Sequence, residues 1–314
     1  MNHRFHQTHF VEAWNTVRKR NAFWMFGPLV ALIGSASVFD YVFGTMRTLR
    51  QWHVASSSTL VDVWRAAAEI PWSAQISLMV AITLIAAVML VIQGAVVRGL
   101  YAHKRSRVQI HDAFTHGWKR LRATAGITLL TLAPLVIVLS LALALLTTLD
   151  SYNPLWNTAF NILVYGLSGI AVFILFSVEL IALNLALGAN KPATEAVGDA
   201  WNFVRRYPVL IVEHNIILAV IYIISIAVLL LLVLAFAVPF ALPFLTLALT
   251  LTSLPNWIGF LPLAILALCG WLVLGFVTLY NYATWAALTH RLVRQPHAAS
   301  RFAHTARTYI PLFR

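Results

Sequence analysis

Residues 214–236, HNIILAVIYIISIAVLLLLVLAF, and residues 270–290, GWLVLGFVTLYNYATWAALTH, are the two ends of a 77-residue run, His214 to His290, that contains no Asp, Glu, Lys or Arg. The 22 Lys and Arg residues of the chain crowd instead into short segments between apolar stretches. About 20 apolar residues cross the hydrocarbon core of a bilayer, and basic residues accumulate in loops kept in the cytoplasm, so this alternation encodes both spans and orientation. Composition agrees. The chain is 61% apolar and 10% charged with a mean hydropathy of +0.81, whereas a water-facing surface needs about a quarter of all residues charged. A net charge of +12 would point to nucleic acid in a soluble protein. Here the basic residues flank apolar spans, where the positive-inside effect and anionic headgroups account for them, and no nucleic-acid partner is expected. The single cysteine, Cys269, excludes a disulfide framework and a thiolate metal site and is expected to be a shielded packing residue. The first apolar run, behind a basic helical segment, reads as an uncleaved signal anchor.

Hydropathy places six spans near Ala22 to Phe43, Ser77 to Val97, Ala125 to Leu149, Leu155 to Leu187, Val209 to Ala237 and Leu261 to Leu288. The fold class is therefore an all-α integral membrane protein with six transmembrane helices and both termini on one side. Nineteen basic residues then fall on the face that carries the termini, against Arg47, Arg50 and Arg65 on the other, which sets both ends in the cytoplasm. The stretch from Pro239 to Trp257 is nearly as apolar as a span but is interrupted by Pro239, Pro243 and Pro255. It reads as a re-entrant or interfacial segment on the outer side, since each proline removes a backbone donor. In the other long outer loop, Thr59-Leu60-Val61-Asp62 before Trp64 is a capping-box pattern for a short surface helix ending at Pro71.

One pattern recurs just before spans one, three and five: Phe10 to Arg18 around Trp14, Phe114 to Arg122 around Trp118, and Val197 to Arg205 around Trp201. Each copy has an apolar residue four before the Trp, a small residue one before, an aliphatic residue three after and an Arg four after. Positions minus four, zero and plus three share a helical face, so each copy is read as an amphipathic helix with its Trp at the apolar edge. Indole and guanidinium both suit the headgroup layer, which makes Trp14, Arg18, Trp118, Arg122, Trp201 and Arg205 the candidate interfacial residues. The implied architecture is three parallel-repeat units, at about 1–103, 104–190 and 191–314 of a single membrane domain, each an interfacial helix followed by a transmembrane hairpin.

Ala13-Trp14 with Arg18-Lys19-Arg20-Asn21 and Phe23-Trp24-Met25-Phe26-Gly27, then Gly94-Ala95-Val96-Val97-Arg98-Gly99, and Glu195-Ala196 through Trp201 with Arg205-Arg206, resemble the uncharacterised bacterial membrane proteins related to the glycerophosphodiester phosphodiesterase membrane domain. The resemblance extends over most of the chain through short, degenerate motifs, and implies residence in the bacterial cytoplasmic membrane. In that family the membrane domain can precede a soluble phosphodiesterase domain. No acidic metal site accompanies the spans here, so that activity is not expected to carry over, and the resemblance supplies no catalytic residues.

Ionisable groups at bilayer depth are costly and are functional suspects by default. Glu179 in span four lies ten residues before Ala189, about 15 Å below the cytoplasmic end at helical rise. Glu213 and His214 open span five, where Glu213 is placed to answer Arg98 or Arg205, and Asp40 falls late in span one. Gln93, Asn161, Asn184 and Asn215 are read as helix-to-helix hydrogen-bonding groups. His3, His6 and His9 drift around a helix rather than converging, and neither HExxH, GxSxG nor a phosphate-cradling GxxxxGK[ST] loop is present. No metal, cofactor or catalytic residue is expected. The tail from Arg291 to Arg314, which mixes Arg with Phe302, Tyr309 and Phe313, reads as lying on the anionic inner leaflet. The sequence thus points to a non-enzymatic membrane protein that organises lipid or protein partners, with a small-solute or lipid transporter using Glu179 and the proline-broken segment as the alternative. Its orientation is directly testable: with Cys269 replaced, single cysteines at Ser57 and Ser151 should react with an impermeant thiol reagent on intact cells, and cysteines at Ser106 and Ser300 should not. Labelling at Ser300 would require an odd number of spans.

Overall fold

A computed structural model describes residues 5–33, 71–101, 110–148, 154–250 and 257–294, and among them the secondary structure is helical with no strand. The α-helices are α1 (Phe5–Lys19), α2 (Gly27–Ile33), α3 (Trp72–Tyr101), α4 (Ile110–Lys119), α5 (Leu121–Thr148), α6 (Pro154–Gly188), α7 (Ala193–Arg206), α8 (Pro208–Thr250) and α9 (Trp257–Arg294), with a 3-10 turn at Asn21–Phe23. Stretches within α3, α5, α6, α8 and α9 are long and apolar enough to cross a bilayer, and the chain is a multi-pass membrane protein. These five correspond to spans two to six of the sequence reading. The second part of span one from residue 34, the surface helix before Pro71, Asp40 and the tail beyond Arg294 lie outside the described residues. Hydrocarbon offers no hydrogen-bond partners, so continuous helix is how these stretches satisfy their peptide groups.

The structure corrects the broken backbone expected within Pro239 to Trp257. Helix α8 continues through Pro239 and Pro243 to Thr250, as α5 does through Pro134. At Pro134, inside an apolar span, leaving the helix would strand many peptide groups in lipid rather than the one or two that a proline strands. Residues 251–256, with Pro255, lie outside the described residues.

The chain divides into two compact units, Met1–Ala31 with Pro208–Arg314, and Leu32–Tyr207. In the second unit α6 is the central element. Its segment from Ser177 to Leu187 is buried all round, and 67% of its most apolar window is inside the protein, against 17% for α5. α6 packs on α3, α5 and α7, and α3 packs on α4. The first half of α3 and much of α5 present Ile76, Met79, Ile82, Leu129, Val136 and Ile137 outward, as lipid-facing surfaces do. In the first unit α9 packs on α1 and α8, and outward-facing Ile216, Ile223, Leu231 and Leu234 cover α8. Cys269 is exposed, contrary to the shielded position expected of it. A lipid-facing surface imposes no penalty on an apolar side chain, so apolarity there does not imply inward placement.

Close packing depends on missing side chains. A Cβ on Gly117 of α4 would lie 2.5 Å from the Val91 carbonyl oxygen and 2.9 Å from the Ala95 nitrogen of α3, and one on Gly94 would lie 3.2 Å from the Gly117 Cα. Here backbone meets backbone, and neither neighbour can yield as a flexible side chain would. Gly198 of α7 has nothing within 4 Å of such a Cβ. Gly117→Ala should therefore lower the thermal unfolding temperature of the purified protein, at a cost of about 1–3 kcal/mol by overpacking, while Gly198→Ala should be neutral or gain up to about 1 kcal/mol of helix propensity. Equal tolerance at both positions would disprove the close approach of α4 to α3.

Candidate functional site

The three Trp motifs lie on α1, α4 and α7, each directly ahead of a further helix. Trp14, Trp118 and Trp201 are 48%, 66% and 43% exposed, and Arg18, Arg122 and Arg205 are exposed beside them. The buried stripe is a different one from that drawn through the Trp positions. It runs through His9, Ala13 and Val17 on α1, Ala113 and Gly117 on α4, and Ala196, Ala200 and Val204 on α7, at positions minus five, minus one and plus three. Small side chains let one helix settle closely on another, and the bulky indole is left at the edge. The second copy also departs from one continuous helix, because α4 ends at Lys119 and Arg122 belongs to the first turn of α5. α1 packs on α9, α4 on α3 and α7 on α6.

In the first unit the α1 stripe ends in a buried imidazole pair. His9 Nε2 and His214 Nδ1 are 3.3 Å apart, so one ring donates and the other accepts, and both residues are 0% exposed. Phe10 stacks on the His214 ring at 5.3 Å and Trp285 meets it edge-on at 4.5 Å. At the rim, Glu12 accepts from Arg291 at 3.2 Å, Tyr280 Oη donates to the Phe10 carbonyl at 3.4 Å, and Trp14 sits edge-on against Phe276 at 5.1 Å. Asn281 Nδ2 donates to Tyr222 Oη at 3.4 Å, joining α9 to α8. Glu213 is half-buried on the first turns of α8. Sequence reading singled out His214 but not its partner. Its one signal was that His9 stands at the minus-five position of a motif whose other copies carry alanine there.

In the second unit Glu179 is 6% exposed on α6. Its carboxyl is hydrogen-bonded by the buried Gln93 of α3, and its Oε1 has no partner among the described residues. Other polar groups in the apolar helices turn onto their own backbone: Thr131, Ser168, Ser177 and Ser225 each donate to a carbonyl four residues earlier, and Asn184 Nδ2 donates to the Leu180 carbonyl at 2.7 Å. The Asn184 Oδ1 is left without a partner among the described residues. The Gln93–Glu179 pair is different, because it links two helices through a group that is costly to desolvate.

At the end of α6, Arg98 Nη1 donates to the Leu187 carbonyl at 3.3 Å, and the His116 ring hydrogen-bonds the same carbonyl. Cations at a helix C-terminus complement its dipole. Two residues past the end of the helix at Gly188, Asn190 takes the left-handed conformation (φ 59°) and accepts from Arg120 Nη2 at 2.8 Å. Lys191 then bonds Asp199, and Glu195 at 3.0 Å, contacts that raise its pKa yet add little stability at a site open to solvent on one side. No group of three or more potential metal-ligating side chains occurs among the described residues. No known protein family matches the chain, and neither a curated protein nor a solved structure is detectably similar to it.

Burial, with Arg98 and Arg120 close by, holds the His116 pKa below the ordinary histidine range. The unfolded chain therefore takes up a proton that the folded state resists, and the contribution of His116 to stability falls as pH drops through the unfolded value of ~6.5 toward the lower folded value. The unfolding temperature should decline between about pH 7.5 and about pH 5.5, and His116→Gln should make that decline shallower. Parallel pH curves for the two proteins would remove His116 as the titrating group.

Proposed function

We propose that this is a non-enzymatic integral protein of the bacterial cytoplasmic membrane, with both termini in the cytoplasm, that organises anionic lipid or partner proteins at the inner leaflet. The observation that carries the reading is the division of labour on α1, α4 and α7. In each, a small-residue stripe is buried while the Trp and the following Arg stay exposed, leaving an amphiphilic pair turned toward the headgroup layer. The packing order supports three parallel units of six spans: α4 and α7 each pack on the long helix that precedes them, and α1 packs on the last, α9. The motif-level resemblance to the glycerophosphodiester phosphodiesterase membrane domain fits this reading without its hydrolase chemistry.

A transporter is the second reading, favoured by the Glu179 carboxyl, whose Oε1 is buried without a partner among the described residues. The two readings separate in one preparation. Purified from a membrane of mixed phosphatidylglycerol and phosphatidylethanolamine, the wild-type protein should retain phosphatidylglycerol preferentially, and combining Arg18→Gln, Arg122→Gln and Arg205→Gln should erase most of that enrichment, at about 1 kcal/mol per basic residue near the surface. Glu179→Gln should leave the enrichment intact and the unfolding temperature unchanged or higher, since an amide of nearly the same size replaces a carboxyl that is costly to bury. Unchanged lipid enrichment in the triple variant would sink the leading reading. Proton- or cation-driven solute uptake into proteoliposomes that disappears with Glu179→Gln would establish the second.

A further inference from the structure

We propose that Arg98, His116, Lys119 and Arg120 in the second unit form a binding site for one phosphate group, carried by an anionic lipid headgroup or by a free phosphate species. The lipid form deepens the headgroup reading above but uses a separate set of residues.

The site is assembled by the close approach of α4 to α3, which Gly117 and Gly94 permit. That approach brings Arg98 of α3 and His116 of α4 to one atom, the Leu187 carbonyl oxygen. Lys119 and Arg120 follow His116 by three and four residues and so share its side of the chain. Besides burial, the fields of Arg98, Arg120 and Lys119 all press on the His116 ring, which places three permanent cations around one imidazole.

Nothing among the described residues balances them. The hydrogen bonds of Arg98 and Arg120 go to neutral oxygens, on Leu187 and Asn190, and no ion pair links these two arginines or Lys119 to an acid among those residues. Glu195 and Asp199 are taken by Lys191, and the exposed Asp112, at the start of α4, forms no ion pair there. His116 Nε2 is buried and has no hydrogen-bond partner among the described residues. α5 begins at Leu121, next to Arg120, so the positive end of a 28-residue helix adds to the same field. Unopposed guanidinium and ammonium donors with a helix N-terminus are what a phosphate, with several acceptor oxygens and at least one negative charge, satisfies. Each donor is spoken for only in part: a guanidinium has five N–H groups, and one from each arginine is engaged here.

The test is a titration of the full-length protein in a neutral detergent with dioctanoyl phosphatidylglycerol, with inorganic phosphate, and with dioctanoylglycerol, which has the same tails and no phosphate. Saturable one-to-one binding of the phospholipid alone assigns the site to a headgroup; saturable binding of inorganic phosphate assigns it to the free species. In either case the double variant Arg98→Gln, Arg120→Gln should weaken binding about tenfold or more, as loss of charged hydrogen bonds does. Because Arg98 also caps α6, Lys119→Gln is the safeguard: exposed and without a hydrogen bond or ion pair among the described residues, it should weaken binding several-fold with no change in the unfolding temperature of the ligand-free protein. Arg18→Gln with Arg205→Gln should leave the one-to-one binding unchanged even where it reduces bulk enrichment of anionic lipid, so the two readings fail separately. Absence of saturable binding by both phosphate probes, equal binding of dioctanoylglycerol, or binding indifferent to Lys119→Gln and to the double variant would overturn the site.

Discussion

Helices in lipid gain nothing by hiding apolar surface from one another, because hydrocarbon tails are as apolar as leucine. What holds them together is close fit. In this protein the fit is supplied by small residues on short helices: Ala113 and Gly117 against α3, Ala196 and Ala200 against α6, and Ala13 against α9. The rest of the structure follows from that contact. Once the small-residue stripe faces the long helix, the large indole and the arginine one turn later have nowhere to go but outward, and the basic ends of α3 and α4 are drawn onto the carbonyls that end α6.

The same lack of solvent decides how polar side chains behave. Hydroxyls of Thr131, Ser168 and Ser225 return to their own helix, and these groups therefore specify nothing about neighbours. Only pairs that cross between helices do so. Gln93 with Glu179 fixes α3 to α6, His9 with His214 fixes α1 to α8, and Asn281 with Tyr222 fixes α9 to α8. Each has donors and acceptors that a sliding register would leave unmatched, at a penalty larger than the bond itself contributes.

The spans were legible because charge and hydropathy are one-dimensional signals: α3, α5, α6, α8 and α9 fall where long apolar runs poor in charge fall. The Trp motifs were legible as helices for the same reason, through their period. The buried face was not, since a scale that ranks Trp above Ala draws the apolar stripe through Trp14, Trp118 and Trp201, whereas packing is decided by what is small enough to approach. Pro239 and Pro243 misled because each removes only one or two backbone hydrogen bonds from a helix that many others hold. Cys269 misled because apolar residues in lipid are under no pressure to turn inward. The His9–His214 contact, separated by 205 residues in the chain, carries no local signature at all, and the convergence of Arg98 and His116 on Leu187 depends on two glycines whose importance appears only when the helices are docked.

The first unit is discontinuous, made of residues 1–31 and 208–314, while the second is one uninterrupted stretch, 32–207. Synthesis from the N-terminus therefore delivers every part of the second unit before the α8 and α9 surfaces that α1 packs against exist. α4 and α7 can dock at once on helices just inserted. α1 must wait with His9, Ala13 and Val17 uncovered until more than 170 residues have followed it from the ribosome. Its moderate amphipathicity suits that interval, since a helix able to rest at the membrane surface is kept from wrong partners while the rest of the chain is made.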